Sequence, residues 1–328
     1  MRLSSPSSND IVALGELLID FTENGLSKTG GRLFEQNPGG APANMLTAAT
    51  RLGSKTALIG KVGKDMHGEF LKKTLIDVGI DTSGLILDEL VFTTLAFVAL
   101  SDKGEREFSF ARKPGADTCL SLEEINYDLI ANSRIFHFGS LSLTDNPSRE
   151  ATKAALEFAK SKGLIVTYDP NYRASLWSNE KTAIDMMKRH LEDVNIIKIA
   201  DNEFHMITNE KDFKKGTQKL HNLGIECVVV TLGDEGAYVS VQGEGLIVGV
   251  PEVKVVDTTG AGDAFFGGFL NQFLKSKLSL DTLTINDAKE FAYYGNVVAA
   301  LCITRRGAIP AMPNEEEVEK FIRGNYVR

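Results

Sequence analysis

Short apolar strands alternate with amphipathic helices along the second half of this chain, and this alternation constrains the fold most strongly. The segments "RIFHFGS", "LIVTYD", "IIKIAD" and "CVVVTLG" are rich in β-branched and aromatic residues, as strands buried on both faces are. The helical segment "NPSREATKAALEFAKSKG" separates the first two. Earlier in the chain "IVALGELLIDF" is predicted to be the first strand, and "AYVSV" with "GLIVGV" predicts a terminal hairpin. The pattern therefore predicts an α/β fold with a mostly parallel central sheet and helices on both faces.

Two early parts of the chain, near residues 16–36 and 91–116, break this alternation because strand segments follow one another without a helix between them. "FTTLAFVAL" and "EREFSFARK" are typical of a hairpin, which "SDKGE" would close. We predict that both parts form a small β-sheet that acts as a lid, within a single domain spanning residues 1–328. Three helices are predicted near the C-terminus, at about 261–275, 285–302 and 315–323.

Composition narrows the class of partner. The chain has 328 residues, of which 43% are hydrophobic, so it can bury a large core. Its net charge of -8 argues against nucleic acid or an anionic membrane as the main partner. The three cysteines are widely spaced, and no apolar run is long enough to span a bilayer. We predict a cytoplasmic protein with reduced thiols and small-molecule ligands.

The stretch "DTTGAGD" at residues 257–263 stands directly before the apolar "AFFGGFL", which predicts a buried helix. A helix N-terminus leaves backbone amides unsatisfied, and Gly260 and Gly262 would let a ligand approach them closely. The amides of Ala261, Gly262 and Asp263 could then hold a phosphate oxygen. The Asp263 carboxylate would repel phosphate, but it suits a base that accepts a proton from a nucleophile. The alternative is an ordinary Gly-rich turn that starts a helix.

Other nucleotide-binding patterns are missing from the sequence. No GxGxxG follows the first strand, which argues against a dinucleotide-binding fold, and "GSKT" lacks the Gly-Lys-Thr order of a P-loop.

Five segments carry a resemblance to a known family. "DTTGAGDAFFGGF" resembles the C-terminal signature of the ribokinase-like (PfkB) carbohydrate kinases, and "GGAPANMLTAATRLG" with "GKVGKDMHGEF" resembles their N-terminal signature. "FSFARKPGAD" and "DPNYRASLW" are similar to the fructokinase branch. The resemblance implies ATP-dependent transfer of phosphate to a sugar hydroxyl, most simply D-fructose to fructose 6-phosphate, with Mg²⁺ as the metal cofactor and K⁺ as a further cation.

The resemblance also assigns roles to single residues. It makes Asp263 the catalytic base and the amides of Gly260, Ala261 and Gly262 the anion hole. The residues that it places at the sugar are Asp20, Gly39, Gly40, Asn44, Arg112 and Arg173. The residues that it places at the nucleotide are Asn202, Thr231, Gly233, Gly236 and Asn296. The residues that match a monovalent-cation site are Asp257, Thr259 and Gly307.

Several of these residues also have simpler interpretations. Asp20 could be a solvated carboxylate at a strand end, "GGAPAN" a helix-opening turn, and each arginine part of a surface ion pair. Two positions depart from the family pattern. In "DNEFH" Asn202 is present, but His205 stands at the expected Glu position, and we expect Glu203 to point elsewhere. Ala311 replaces a serine that is common beside the cation site.

The sequence leaves other functions open. Arg112 and Arg173 would also suit an acidic sugar such as 2-keto-3-deoxygluconate, and a ribonucleoside or another sugar would keep the same chemistry. A protein of another class, a catalytically inactive sugar-binding regulator, would not need the acidic Asp263. By analogy with the family, a homodimer through the lid is expected, since an exposed sheet edge favours pairing.

Overall fold

A computed structural model describes residues 9–100 and 106–325 of the chain. The strands are β1 Ile11–Leu14, β2 Leu18–Leu26, β3 Arg32–Gly39, β4 Thr56–Gly63, β5 Asp81–Asp88, β6 Leu95–Leu100, β7 Arg106–Ala111, β8 Ile135–Gly139, β9 Ile165–Asp169, β10 Ile196–Ala200, β11 Cys227–Thr231, β12 Ala237–Val241 and β13 Glu244–Val248. The α-helices are α1 Ala41–Arg51, α2 Met66–Val78, α3 Tyr127–Ala131, α4 Ser148–Ser161, α5 Glu180–Lys188, α6 Asp201–Thr208, α7 Phe213–His221, α8 Ala261–Ser276, α9 Ile285–Cys302 and α10 Glu315–Asn325. The predicted "SDKGE" closure lies outside the described residues.

The central sheet has nine strands in the order β13-β12-β11-β10-β9-β8-β1-β4-β5. Its pairings are parallel except those of β11 with β12 and of β12 with β13, which form the predicted terminal hairpin. Side chains alternate along each strand, so Ile11 and Ala13 enter one core while Val12 and Leu14 enter the other. Helices α1, α2, α8 and α9 cover the first face, and α3 to α7 cover the second. The predicted α/β class is confirmed.

A second sheet has four strands in the order β3-β2-β6-β7, and we call it the small sheet. It matches the accessory sheet expected near residues 16–36 and 91–116. The sequence "IVALGELLIDF" was expected to form one strand, and this expectation is wrong. Its first part is β1 of the central sheet, whereas β2 pairs only within the small sheet, with β3 and β6. The chain crosses between the sheets at residues 15–17, and Asp20 thereby belongs to the small sheet.

Close helix packing places the N-terminus of α8. A Cβ at Gly267 would overlap Ala48 of α1, and one at Gly268 would lie 2.9 Å from a methyl group of Val298 in α9. These two glycines of "AFFGGFL" therefore allow α8 to lie directly against both neighbours, with its phenylalanines buried in the core. Within the part of the chain that the structure describes, no helix combines the length and the apolar character needed to span a membrane.

Candidate active site

Two clefts meet at the N-terminus of α8. The first, which we call the sugar cleft, has a volume of about 160 Å³, and the second, the nucleotide cleft, about 550 Å³. Predicted residues that line the sugar cleft are Asp20, Gly40, Asn44, Arg173, Thr259, Gly260 and Asp263. Predicted residues that line the nucleotide cleft are Thr231, Gly233, Gly236, Ala261, Gly262 and Asn296. Thr258 lines both, so the first turn of α8 is the boundary between the two clefts.

The first turn of α8 carries unpaired amides. Gly260 has a φ of 77°, in the left-handed region, and a Cβ there would lie 2.7 Å from that of Ala308. The amide of Ala261 donates to Thr258 O at 3.3 Å, and that of Ala264 donates to Gly260 O at 2.8 Å. Among the described residues, the amides of Gly262 and Asp263 have no acceptor. These two donors and the helix dipole can hold an anion between the clefts.

Asp263 is buried in this turn, with 7% of its surface exposed. Its carboxylate accepts from Asn44 Nδ2 at 2.8 Å and from Asn171 Nδ2 at 3.3 Å. Burial and, to a smaller extent, the nearby Asp169 raise the pKa of Asp263 to about 6, against the opposing effects of Lys198, Asn44 and Arg173. A carboxylate whose pKa lies near neutrality is suited to accept a proton from a hydroxyl.

A buried charged cluster lies behind Asp263, and sequence reasoning did not identify it. Lys198 of β10 donates to Asp169 Oδ2 at 2.9 Å, and a Cβ at Gly262 would lie 2.9 Å from Lys198 Nζ. Burial lowers the pKa of Lys198, but Asp169, Glu203 and Asp263 outweigh this effect and raise it, so the amine is charged. The signal in the sequence was a single lysine inside the otherwise apolar strand "IIKIA".

Glu203 is the acidic residue of α6 that belongs to this cluster, contrary to our expectation that its side chain points elsewhere. It is 3% exposed and accepts from the backbone amides of Tyr172 at 2.6 Å and Ala200 at 2.8 Å. Asn202 is exposed and lines neither cleft, and His205 bonds Glu210 O at 2.6 Å. Because Asn202 and His205 are three residues apart, they share one helix face, and Glu203 lies on another.

The predicted glycines at the sugar cleft make room for polar groups. A Cβ at Gly39 would overlap the Asp20 carboxylate, and one at Gly40, whose φ is 114°, would overlap the backbone of Glu16. Asn44 is 5% exposed, and its Oδ1 has no hydrogen-bond partner among the described residues. This buried acceptor faces a polar cleft that suits a hydroxylated ligand.

Arg112, which the resemblance places at the sugar, lies among other polar partners in this structure. Its guanidinium forms a buried ion pair with Asp117, with Nη2–Oδ2 2.6 Å, and also donates to Thr144 Oγ1 and Leu141 O, each at 2.9 Å. It is 6% exposed and is absent from the lining of the sugar cleft. The arginine holds the end of β7 against the loop after β8, whereas Arg173 lines the cleft and lowers the pKa of Asp263.

The nucleotide cleft has an apolar wall that the sequence analysis missed. The residues of this wall come from the irregular segment between β13 and α8, and they include Val250, Pro251, Val253 and Val255. Asn296 donates its side-chain amide to Val248 O at 2.9 Å and to Gly249 O at 3.1 Å. It thereby fixes the start of this segment beside α9. An apolar wall with the polar Thr231 and the free amides of α8 suits a planar base joined to phosphates.

The three residues predicted for a monovalent cation lie together. Asp257 Oδ1 accepts from the amide of Thr259 at 3.0 Å and from its hydroxyl at 2.7 Å, and Asp257 Oδ2 accepts from the amide of Gly307 at 3.0 Å. Ala311 is buried nearby in the same C-terminal loop region. The carboxylate joins the loop before α8 to the loop after α9, which places its charge beside the anion-binding turn.

The chain was compared with known protein families. The family model described as "pfkB family carbohydrate kinase" matches residues 8–315. The chain belongs to this family. It is 40% identical to a protein named probable fructokinase-5 of Arabidopsis thaliana over 95% of this chain and 97% of that protein.

Solved structures of this family are similar over nearly the whole chain. The fructokinase from Xylella fastidiosa with bound ATP has a TM-score of 0.90 and 32% identity, with 97% of this chain and 99% of that chain covered. A double mutant of the fructokinase from Vibrio cholerae O395, with fructose, ADP and potassium ion bound, has a TM-score of 0.86 and 32% identity, with the same coverage.

The site suits a Mg²⁺ ion that binds mainly through the phosphates of the nucleotide. Within the described ranges, no group of three or more His, Cys, Asp or Glu side chains could hold a metal. Mg²⁺ usually binds through substrate phosphates, waters and one or two carboxylates, so a full protein cage is not required. Asp169 and Glu203 are the buried carboxylates beside the anion-binding turn, and they would supply the protein's share.

We expect K⁺ to raise kcat, because a cation beside Asp257 would strengthen the positive field at the first turn of α8. The measurement compares KCl with tetramethylammonium chloride at equal ionic strength. The activation should be weaker than that of an Ala311→Ser variant, which restores an oxygen ligand. Equal rates in both salts for both variants would rule out the cation site.

Proposed function

We propose that this chain is an ATP-dependent fructokinase that converts D-fructose to fructose 6-phosphate. The observation that carries this proposal is the position of Asp263, which lines the sugar cleft beside the free amides of an α8 turn that also lines the nucleotide cleft. Phosphoryl transfer requires a base, an anion hole and in-line placement of its two substrates. Relatives named fructokinase, from plants and bacteria, match the chain along its whole length.

The residues act on the reaction in a defined order. Fructose occupies the sugar cleft against Asp20 and Asn44, with a primary hydroxyl towards Asp263. Asp263 accepts the proton of this hydroxyl while the hydroxyl oxygen attacks the γ-phosphorus of ATP, and ADP leaves. The amides of Gly262 and Asp263 hold the charge of the transferring phosphoryl group, for which one preorganised donor contributes about 3 kcal/mol. Asp169 and Glu203 would help the phosphates to hold Mg²⁺, which would supply positive charge to offset that of the phosphates.

The substrate is tested with a coupled ADP-release assay on a panel of sugars with ATP and Mg²⁺. We expect kcat/KM for fructose to exceed the values for ribose, glucose and 2-keto-3-deoxygluconate by as much as about 10⁴-fold, because polar sites reject analogues that leave buried groups unpaired. Arg112 is paired with Asp117, so Arg173 is the arginine that lines the described cleft. This arrangement disfavours an acidic sugar, because Arg112 is already neutralised. A preference for 2-keto-3-deoxygluconate or a ribonucleoside would leave the proposed kinase chemistry intact but would show that fructose is not the preferred substrate. Sugar binding without ADP release would favour the regulator.

We also propose that residues 1–328 act as one unit in which the small sheet is a lid. Asp20, Thr22 and Val98 of this sheet line the sugar cleft, together with Phe110. A lid that closes on the sugar keeps water from the γ-phosphate. We expect fructose to slow hydrogen exchange of the β2 and β6 amides, measured by mass spectrometry. Equal exchange with and without fructose, while β8 and β9 serve as the unaffected control, would contradict a closing lid.

We propose a homodimer through the small sheet, and the exposed apolar side chains of this sheet support it. Phe97 is 37% exposed and stacks on Phe21, while Phe34, 38% exposed, packs edge-on against Phe97. A second copy of the chain would cover these rings. Sedimentation velocity should give a dimer that Phe97→Ser shifts to the monomer, and a wild-type monomer at all concentrations would exclude it.

For the location we propose the cytoplasm, where ATP is available and the free Cys119, Cys227 and Cys302 stay reduced. One plant relative is named chloroplastic, so fractionation of cells against chloroplast and cytoplasmic markers is the test.

A further inference from the structure

Glu16 is a buried acidic residue for which the proposed reaction has no role so far. It lies where the chain crosses from the central sheet to the small sheet, between β1 and β2. It is 3% exposed and lines the sugar cleft together with Asp20 and Asn44. A charged-type side chain is rarely buried to this extent unless its polar atoms are paired.

Only half of the Glu16 carboxyl group is paired in the described part of the chain. Oε1 accepts from the backbone amide of Ala41, the first residue of α1, at 2.9 Å. Oε2 is buried and has no hydrogen-bond partner among the described residues. The second buried orphan in the same cleft is Asn44 Oδ1, one turn further along α1. Two unpaired oxygens, one on Glu16 beside the start of α1 and one on Asn44 within α1, therefore belong to residues that line the same cleft, and both would be satisfied by hydroxyl groups.

We propose that Glu16 is a sugar-binding residue whose Oε2 forms a hydrogen bond with a hydroxyl of fructose other than the one that is phosphorylated. This inference rests on the proposed function. The reacting hydroxyl must face Asp263 and the free amides at the start of α8. The hydrogen bond from the Ala41 amide instead holds Glu16 beside the start of α1. Glu16 therefore contacts a different part of the sugar ring.

The chemistry of Glu16 suits this role at neutral pH. Burial, with a smaller effect of Asp117, raises the pKa of Glu16 to about 7, against the lowering effects of its own backbone amide, the Ala41 amide and Arg112. Near pH 7 the carboxyl group is therefore present both with and without its proton. A hydroxyl can donate to the ionised oxygen or accept from the protonated one, so the hydrogen bond is available in either state.

The experiment uses two variants of Glu16 and one matched control. Glu16→Met removes both oxygens, whereas Glu16→Gln keeps a carbonyl for the Ala41 amide and a polar group at the Oε2 position. Glu226→Gln is the control, because Glu226 is another partly buried acid, but it precedes β11 at the opposite, amino-terminal end of the strands. Each protein is assayed with fructose and with its monodeoxy analogues, at saturating ATP and Mg²⁺, after its Tm has been recorded.

We expect Glu16→Met to lower kcat/KM for fructose by about 10- to 100-fold, mainly through KM, which corresponds to one lost hydrogen bond to a carboxyl group. The KM of Glu16→Met for ATP should stay within about twofold of the wild-type value. The kcat and KM values of Glu226→Gln should also stay within about twofold of wild type. One deoxy analogue should have a low kcat/KM with wild type and an equally low kcat/KM with Glu16→Met. The hydroxyl that this analogue lacks is the partner of Oε2. Glu16→Gln should retain most of the activity.

The inference is overturned if each deoxy analogue is as disfavoured by Glu16→Met as by wild type. Glu16 would then act only as the acceptor for the Ala41 amide. If Glu16→Met does not fold, Glu16→Asp, whose shorter side chain draws the carboxyl group away from the hydroxyl, decides the question through the same analogue pattern. If wild type prefers another sugar, the fructokinase proposal fails, and the deoxy analogues of that sugar then test Glu16 independently.

Discussion

Asp263→Asn should lower kcat by about 10²- to 10⁴-fold, the range that a positioned general base contributes, while the Kd values for ATP and fructose stay near those of wild type. The amide has nearly the shape of the carboxyl group, but it cannot accept the proton of the attacking hydroxyl. Single-turnover kinetics and calorimetric titration of each substrate separate the two quantities. Asp212→Asn is the control, because Asp212 is an exposed acid that caps α7 through Lys215 N, a bond that Asn can also form. A variant that keeps near wild-type turnover would contradict the assignment.

The acid limb of the pH profile tests the same residue. With the pKa of Asp263 at about 6, kcat should fall about tenfold for each pH unit below that value, because the protonated acid cannot act as a base. The pKa is higher in the folded than in the unfolded chain, so Asp263 favours folding least above pH 6, where its buried form is charged. Asp263→Asn should therefore unfold at a Tm no lower than that of wild type at pH 8. A large fall in Tm would point to a structural role instead.

Lys198→Met should reduce the free energy of unfolding by about 3 to 5 kcal/mol, because it leaves the buried Asp169 carboxylate without its partner. It should also move the acid limb of kcat to higher pH, since the Lys198 charge lowers the pKa of Asp263. Denaturant unfolding measures the first effect, and the pH dependence of kcat measures the second.

The double variant Lys198→Met/Asp169→Asn is the control for this ion pair. It removes both charges, so it should recover part of the lost stability, and the acid limb should return to its wild-type position or to lower pH, because Asp169 raises the pKa of Asp263. If Lys198→Met unfolds at the same denaturant concentration as wild type, the ion pair does not stabilise the fold. If the acid limb does not move, Lys198 does not influence the base.

Local patterns in the sequence were enough for most of the fold. The apolar strands that alternate with helices predicted the parallel sheet, and the C-terminal helices were confirmed as α8, α9 and α10. These features depend on the period of side chains along one segment, which a short window of sequence displays. The split of "IVALGELLIDF" was missed, because both halves are apolar strands and only their pairing partners assign them to different sheets.

The anion-binding turn was predictable for the same reason. Gly260, Gly262 and Asp263 are neighbours in the chain, so the free amides, the left-handed glycine and the carboxylate follow from one local motif at a helix start. Most of the residues that the family resemblance indicated line the two clefts beside this turn, although other residues make up more than half of the lining.

The partners of buried charges were decided by the tertiary structure alone. Asn44 reaches Asp263 across 219 positions of sequence, and Lys198 reaches Asp169 across 29. Arg112 was available to the sugar on sequence grounds, but Asp117 and the backbone of Leu141 engage it. A buried charge must be paired, and the pairing depends on which strand ends the fold brings together. The sequence by itself therefore determined the strands, the helices and the turn that carries the base, whereas packing of distant segments determined which polar side chains face the sugar.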